Sequence, residues 1–254
     1  MAQLFKPSAN SLAKVSLLGA ATVPWVLFYA GSTISRSPAN TKVDVPLNQP
    51  VPFSHRHHVA ELGIDCRYCH VSVEKASYAS LPATEVCMSC HSQIWTNSPL
   101  LEPVRRSYEE GTPITWATGD VGWNQVNKVP EFVYFDHSIH VNRGVNCNQC
   151  HGAVHDMALT WKGHYFAMAW CLECHKEPEK YLYRDPATPE ATGPEQVFNF
   201  YRKIQDGSPL SFVEQGIAHG ETRLRSADEE EGKKLIEQYR IKKEQLADCW
   251  VCHR

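Results

Sequence analysis

Polar and apolar residues mix without a regular period along most of this 254-residue chain, with one exception near its start. Residues 15–35, VSLLGAATVPWVLFYAGSTIS, hold no charged side chain. At about 1.5 Å per residue the run is about 31 Å long, the thickness of a bilayer's hydrocarbon core, so it predicts a transmembrane helix. Pro24 is tolerated inside such a helix, and Trp25, Phe28 and Tyr29 in its far half suit the aromatic belt of an interface. A cleaved signal peptide carries a shorter apolar core of about 7–15 residues, so the expectation is a retained anchor. Lys6 and Lys14 precede the span and put residues 1–14 in the cytoplasm and 36–254 outside it, although Arg36 and Lys42 follow closely.

Beyond the span, long alternating β-branched runs are absent, which argues against a large sheet. The expected fold class is mainly α/coil with little regular secondary structure. Residues 226–247 read as the clearest soluble helix, with Glu229–Lys233 and Glu230–Lys234 at i,i+4 and a solvated face that delivers the chain to Cys249. Residues 92–134 carry Trp95, Trp116 and Trp123 among Pro99, Pro103, Pro113 and Pro130. They read as an irregular lobe that covers cofactors or meets another subunit, and 176–225 reads the same way. The net charge of −3 excludes the basic excess that a nucleic-acid partner calls for. Seven Trp, ten Tyr and nine Phe supply too much apolar surface for a disordered chain.

Ten Cys and 13 His change the picture. Every cysteine belongs to a C-x-x-C-H unit: Cys66/Cys69/His70, Cys87/Cys90/His91, Cys147/Cys150/His151, Cys171/Cys174/His175 and Cys249/Cys252/His253. This is the attachment pattern of haem c. On a helical turn, residues three and four apart share a face, so both thiols can bond one porphyrin while the following His reaches the iron. Disulfides would not need a His after each pair. Structural zinc needs four ligands, and five pairs do not divide into such sites. The sequence therefore predicts five covalent haem c groups, with His70, His91, His151, His175 and His253 as proximal ligands. Such attachment takes place outside the cytoplasm, in agreement with the orientation of the anchor.

An internal repeat supplies the sixth ligands. Phe53-x-His55-x-x-His58-Val59 precedes the first motif, and Phe135-x-His137-x-x-His140-Val141 precedes the third. Each copy runs on into G-[IV]-[DN]-C, at Gly63–Cys66 and Gly144–Cys147. Residues 50–91 and 132–175 thus form two paired modules. His55, His58, His137 and His140 are assigned to sites 1, 2, 3 and 4 in that order, and the leading Phe is expected on a porphyrin face. His57 reads as a surface residue, and His155 and His164 as ordinary histidines. Site 5, at 249–253, has no such segment upstream. Its expected sixth ligand is Met157 or Met168 ahead of His219, with an iron left open as the remaining alternative and Met88 a poorer candidate. No phosphate loop, nucleophile elbow or nucleophile–base pair is present, so the chemistry expected is electron transfer without an independent active site.

The segments FKPSANSLAKVSLL, VPFSHRHHVAELGIDCRYCH, ASLPATEVCMSCH, FVYFDHSIHVNRGVNCNQCH, MAWCLECHKEP and the final CWVCHR resemble the pentahaem, membrane-anchored cytochrome c subunit of alternative complex III. The likeness covers most of residues 1–180 and weakens over 181–248. F-x-H-x-x-H before C-x-x-C-H also resembles cytochrome c7/c3, where those histidines are distal ligands. The resemblance implies a single-pass subunit of the inner membrane with its haem domain on the periplasmic side. Its implied partners are an iron–sulfur-cluster subunit, integral quinone-binding subunits, and a monohaem cytochrome c or other soluble acceptor. It would relay electrons from (mena)quinol oxidation in a respiratory chain. The alternatives are a self-contained quinol dehydrogenase of the anchored multihaem type and a multihaem reductase enzyme.

Overall fold

A computed structural model describes residues 6–222 and 229–253. The chain divides into two units, one ending at Val43 and the other beginning at Asp44.

The first unit is dominated by helix α1, Ser8–Arg36, followed by the short turn α2, Pro38–Thr41. None of the side chains of α1 is buried, and Leu17, Leu18, Trp25, Phe28 and Tyr29 are all largely exposed. Its hydroxyls turn inward onto its own backbone. Thr22 Oγ1 donates to Leu18 O and Thr33 Oγ1 to Tyr29 O, both at 2.8 Å. That arrangement satisfies polar groups without water, as a hydrocarbon surrounding requires. By length and composition α1 is a candidate membrane span, longer at its N-terminal end than the apolar run itself.

The second unit is built of short helices: α3, Cys66–Cys69; α4, Thr84–His91; α5, Glu102–Glu110; α6, His137–Val141; α7, Cys147–His151; and α8, Met168–Lys176. After them come α9, Gly193–Asp206; α10, Phe212–Ala218; α11, Glu229–Gln238; and α12, Cys249–Cys252. Among the described residues there is no strand, only the isolated bridges Pro46–Trp161 and Thr115–Val121. The helix and coil expectation holds.

Its main core forms on α9, inside the segment read from sequence as irregular. Thr192 and Glu195 make a capping box, Pro194 sits in the first turn, and Gly207 ends the helix at φ 67°. One face buries Val197, Phe198, Phe200 and Tyr201 against Val73, Val141 and Ile217, with Cys66 and Cys147 packed on the same cluster. At about 1.5–3 kcal/mol for each fully buried large apolar side chain, this is the principal apolar contribution to the unit. Lys203 of α9 also joins Asp185 at 2.5 Å and the buried Glu214 at 2.8 Å.

Two further expectations need correction. Residues 92–134 contain the nine-residue α5, whose Val104 packs with Val51, Leu101 and Ile114 under Cys87 and Met88. The lobe thus has its own core. The helix expected over 226–247 spans only Glu229–Gln238 in the described residues, and 226–228 lie outside them. It is not merely a solvated face, because Leu235 is fully buried and Gly232 lies against the backbone of Glu179. Its lysines pair at i,i+3, Lys233 with Glu230 and Lys234 with Glu231, in place of the expected i,i+4 partners.

Candidate haem-binding sites

Each C-x-x-C-H unit coincides with a short helix. Before α3 and α7 the repeated G-[IV]-[DN]-C sequence explains itself. Gly63 and Gly144 take φ 71° and 78°, where a side chain would be strained. Asp65 Oδ1 then accepts from Arg67 N, and Asn146 Oδ1 from Asn148 N, so the [DN] position caps the helix that carries the cysteines. All ten thiols are free. Among the described residues no three His, Cys, Asp or Glu side chains converge as a metal cluster would require.

The histidines of the repeat face those of the motifs in pairs. His58 and His91 have ring centroids 6.1 Å apart, His137 and His151 6.2 Å, and His140 and His175 6.2 Å. Two metal–nitrogen bonds of about 2 Å, with about 1 Å from each nitrogen to its ring centre, give about 6 Å between imidazoles sharing one metal. The three pairs therefore leave room for an iron between rings and are too far apart for direct contact. His55 lies within electrostatic range of His70, the fourth such combination of a repeat and a motif histidine. In both copies the Phe lies on the second His and edge-on to the first: Phe53 at 4.4 Å from His58 and 5.0 Å from His55, Phe135 at 4.6 Å from His140 and 4.8 Å from His137. The ring expected on a porphyrin face thus lies against both histidines of its own copy.

Hydrogen bonding at Nδ1 sets these rings apart from His155 and His164. His58 Nδ1 donates to Ser54 O, His137 Nδ1 to Ser77 O and His140 Nδ1 to Asp136 O, at 2.7–2.8 Å. Among motif histidines, His70 Nδ1 donates to Ser80 O, His91 to Ile94 O, His175 to Leu246 O and His253 to Phe132 O. His55 Nδ1 meets the Thr160 hydroxyl at 3.1 Å. A proton on Nδ1 leaves the Nε2 lone pair for a metal, and the carbonyl fixes the ring's orientation. His155 is the reverse. Its Nδ1 accepts from Asn148 Nδ2 at 3.0 Å, which puts the proton on Nε2. His164 donates its Nε2 proton to Gly220 O and stacks on Trp170. His57 is half-exposed between Glu61 and Trp95.

For site 5, His253 stacks on Phe132 at 5.7 Å, and Tyr134 N donates to Cys252 O. His219 ends α10 near His155. Met157 is fully buried against Gly152. Met88 packs under the α5 cluster. Met168, 60% exposed at the start of α8, is one turn from Cys171, itself a close neighbour of Cys252.

Burial governs the electrostatics. It lowers His151 and His55 to about 4, helped for His55 by His70 and for His151 by His137, and it lowers His58, His137 and His140 as well. Burial also raises the thiols of Cys150 and Cys174 to about 12. Neutral imidazoles and neutral thiols lining space between paired rings fit a large apolar macrocycle held by thioethers. Sequence reading missed the network beneath. Tyr201 Oη hydrogen-bonds Asn146 and Asn148, and Asn148 in turn holds His155 and Ile217 O. Only the capping position of Asn146 was available as a signal.

The family described as cytochrome c7 and related cytochrome c matches residues 133–196, a likeness confined to that stretch. That stretch includes His137, His140 and the third and fourth motifs. The menaquinone reductase multihaem cytochrome c subunit of Nitratidesulfovibrio vulgaris is 35% identical over 103 residues. The match covers 41% of this chain and 45% of that protein, so the chain spans about half the length of this relative.

Proposed function

We propose that the chain is a membrane-anchored electron-transfer subunit carrying five haem c groups, part of a respiratory complex that oxidises quinol and delivers electrons to a periplasmic acceptor. The observation that carries this reading is the set of three imidazole pairs at 6.1–6.2 Å, each joining a repeat histidine to a motif histidine. In this reading His58 and His91 hold site 2, His137 and His151 site 3, and His140 and His175 site 4. His55 and His70 hold site 1. Met168 completes site 5 opposite His253, since Met157 belongs to the core and His219 to the neighbourhood of His155.

Haem c supplies a one-electron couple whose potential its axial ligands set. The protein's part is to hold two imidazoles across the irons of sites 1–4, most of them through Nδ1–H bonds to carbonyls, and an imidazole with a thioether at site 5, so that no coordination position is left for a substrate. That argues against a reductase enzyme. The domain would lie outside the cytoplasmic membrane, anchored by α1, with residues 1–14 inside. Iron–sulfur and quinone-binding subunits would be its partners, as in alternative complex III. The likeness to a menaquinone reductase subunit favours a second reading, in which electrons run through the chain toward menaquinone.

Intact-mass analysis of the chain purified from membranes tests the cofactor reading, with five haem additions expected and fewer rejecting it. Assaying the purified complex with a menaquinol analogue and an oxidised cytochrome, then with the quinone and a reductant, decides the direction. Quinol oxidation by the isolated subunit would instead make it a self-contained dehydrogenase.

A further inference from the structure

We infer that the five sites line up in the order 2–1–3–4–5, out of step with the chain, so that sites 2 and 5 are the two terminals through which electrons enter and leave. This rests on the reading of five haem sites.

Each link is a contact between particular residues. Tyr68, inside the first motif, hydrogen-bonds Ser89, inside the second, at 2.9 Å, and the single turn from His55 to His58 serves both sites. That turn is π-helical, Arg56–Glu61, which opens the angle between residues three apart. Sites 1 and 3 share the α9 core, where Cys66 and Cys147 pack on one cluster. His137, facing His151, donates to Ser77 O just beyond the first motif. Sites 3 and 4 are joined by α6, whose His137 and His140 face His151 and His175. Sites 4 and 5 meet where His175 Nδ1 donates to Leu246 O at 2.9 Å, three residues before Cys249. Among the described residues no hydrogen bond or ring contact links the second motif to the third.

Two other observations agree. Electrostatic influence between thiols of different motifs follows the same order, Cys69 on Cys87, Cys147 on Cys66, Cys174 on Cys150 and Cys252 on Cys171. Of the ten cysteines only Cys90 in the second motif and Cys249 in the fifth are exposed. A solvent-facing indole stands at each end as well, Trp250 within the fifth motif at 59% exposure and Trp95, four residues beyond the second motif, at 63%. Transfer along this line makes and breaks no bond. A one-electron donor protein supplies the electron at one terminal and a one-electron acceptor protein takes it at the other.

Magnetic coupling between neighbouring ferric haems reads the order directly. In the full-length Cys66→Ser/Cys69→Ser variant, which lacks site 1, site 2 should become an isolated low-spin signal with its own power saturation. The Cys87→Ser/Cys90→Ser variant, lacking site 2, should keep four coupled haems. A sequential line, 1–2–3–4–5, gives the opposite pattern: loss of site 1 isolates nothing and loss of site 2 isolates site 1. That result overturns the inference. His58→Met keeps all five attachments and serves where a motif variant does not accumulate. Raising the potential of site 2 should perturb the titration of one neighbouring haem, and perturbation of two would equally overturn the order. The unaltered chain's haem count keeps the two failures apart, because fewer than five haems rejects the cofactor reading and five with the wrong couplings rejects only the order.

Discussion

The imidazoles of His137 and His151 stand 6.2 Å apart with their planes 6° from parallel, although 14 residues (151 − 137) separate them in sequence. One turn further on, His140 faces a different motif histidine, His175, at 6.2 Å. Removing either ring should therefore alter one site and spare the other. We expect His137→Ala to convert one low-spin haem of five to a high-spin or misligated form, and His140→Ala to convert a second, spectroscopically different one. Absorption and EPR spectra of the two variants check this. Loss of the same signal in both would contradict the pairing.

Site 5 separates two methionines that the sequence left equivalent. Met157 is fully buried, so Met157→Ala should open a cavity and cost about 2–5 kcal/mol of stability. Met168 is exposed, so Met168→Ala should leave the fold's stability nearly unchanged. It should abolish the near-infrared band of His/Met ligation and lower the potential of one haem, because a thioether raises that potential relative to imidazole. Denaturation and redox titration of both variants give the readout, and an unchanged near-infrared spectrum in Met168→Ala rejects this ligand.

Lys203 holds two carboxylates in the α9 core, Asp185 and Glu214, whose side chains are 10% and 2% exposed. Burial alone would raise the Asp185 pKa, but the Lys203 hydrogen bond and the Ala187 amide hold it below the ordinary value. Lys203→Met leaves both acids buried without their cation and should cost about 3–5 kcal/mol. Lys233→Met, at the exposed pair with Glu230, should cost about 0–1 kcal/mol. Urea midpoints compare the two.

His155 sets a pH dependence distinct from that of the paired rings, whose Nε2 atoms are proposed to be occupied by iron. Burial lowers its pKa, with Asp156 raising it in part, and protonated Nδ1 would confront the Asn148 amide donor. The unfolded chain therefore binds the proton more readily than the folded one. The contribution is present above about pH 6.5 and is lost as pH falls from there toward the lower folded value. Stability curves between pH 8 and 5 should be flatter for His155→Gln than for the unaltered chain, and equal slopes would reject the assignment.

The apolar face of α9 went unread among prolines and glycines, although Thr192-Gly-Pro-Glu195 is a helix-start signal in plain view. Periodicity failed there because the helix buries a face against residues as distant as Val73 and Val141. The charge run near the C-terminus misled in the other direction. Glu and Lys marked a solvated helix, yet Leu235 pins that helix to the turn at Glu179.

Sequence by itself determined what depends on spacing within one or two turns: the five thiol pairs with their histidines, the two F-x-H-x-x-H copies with their G-[IV]-[DN]-C lead-ins, and the uncharged run of α1. His58 and His140 bond the carbonyl one turn back, but tertiary structure alone decided which ring faces which and which carbonyl holds Nδ1 of His137, His175 and His253. Those choices hang on contacts across long stretches of chain, His137 to Ser77 over 60 residues, His175 to Leu246 over 71 and His253 to Phe132 over 121. A local pattern cannot encode such partners, because rings and carbonyls far apart in sequence meet only when the chain packs into one unit.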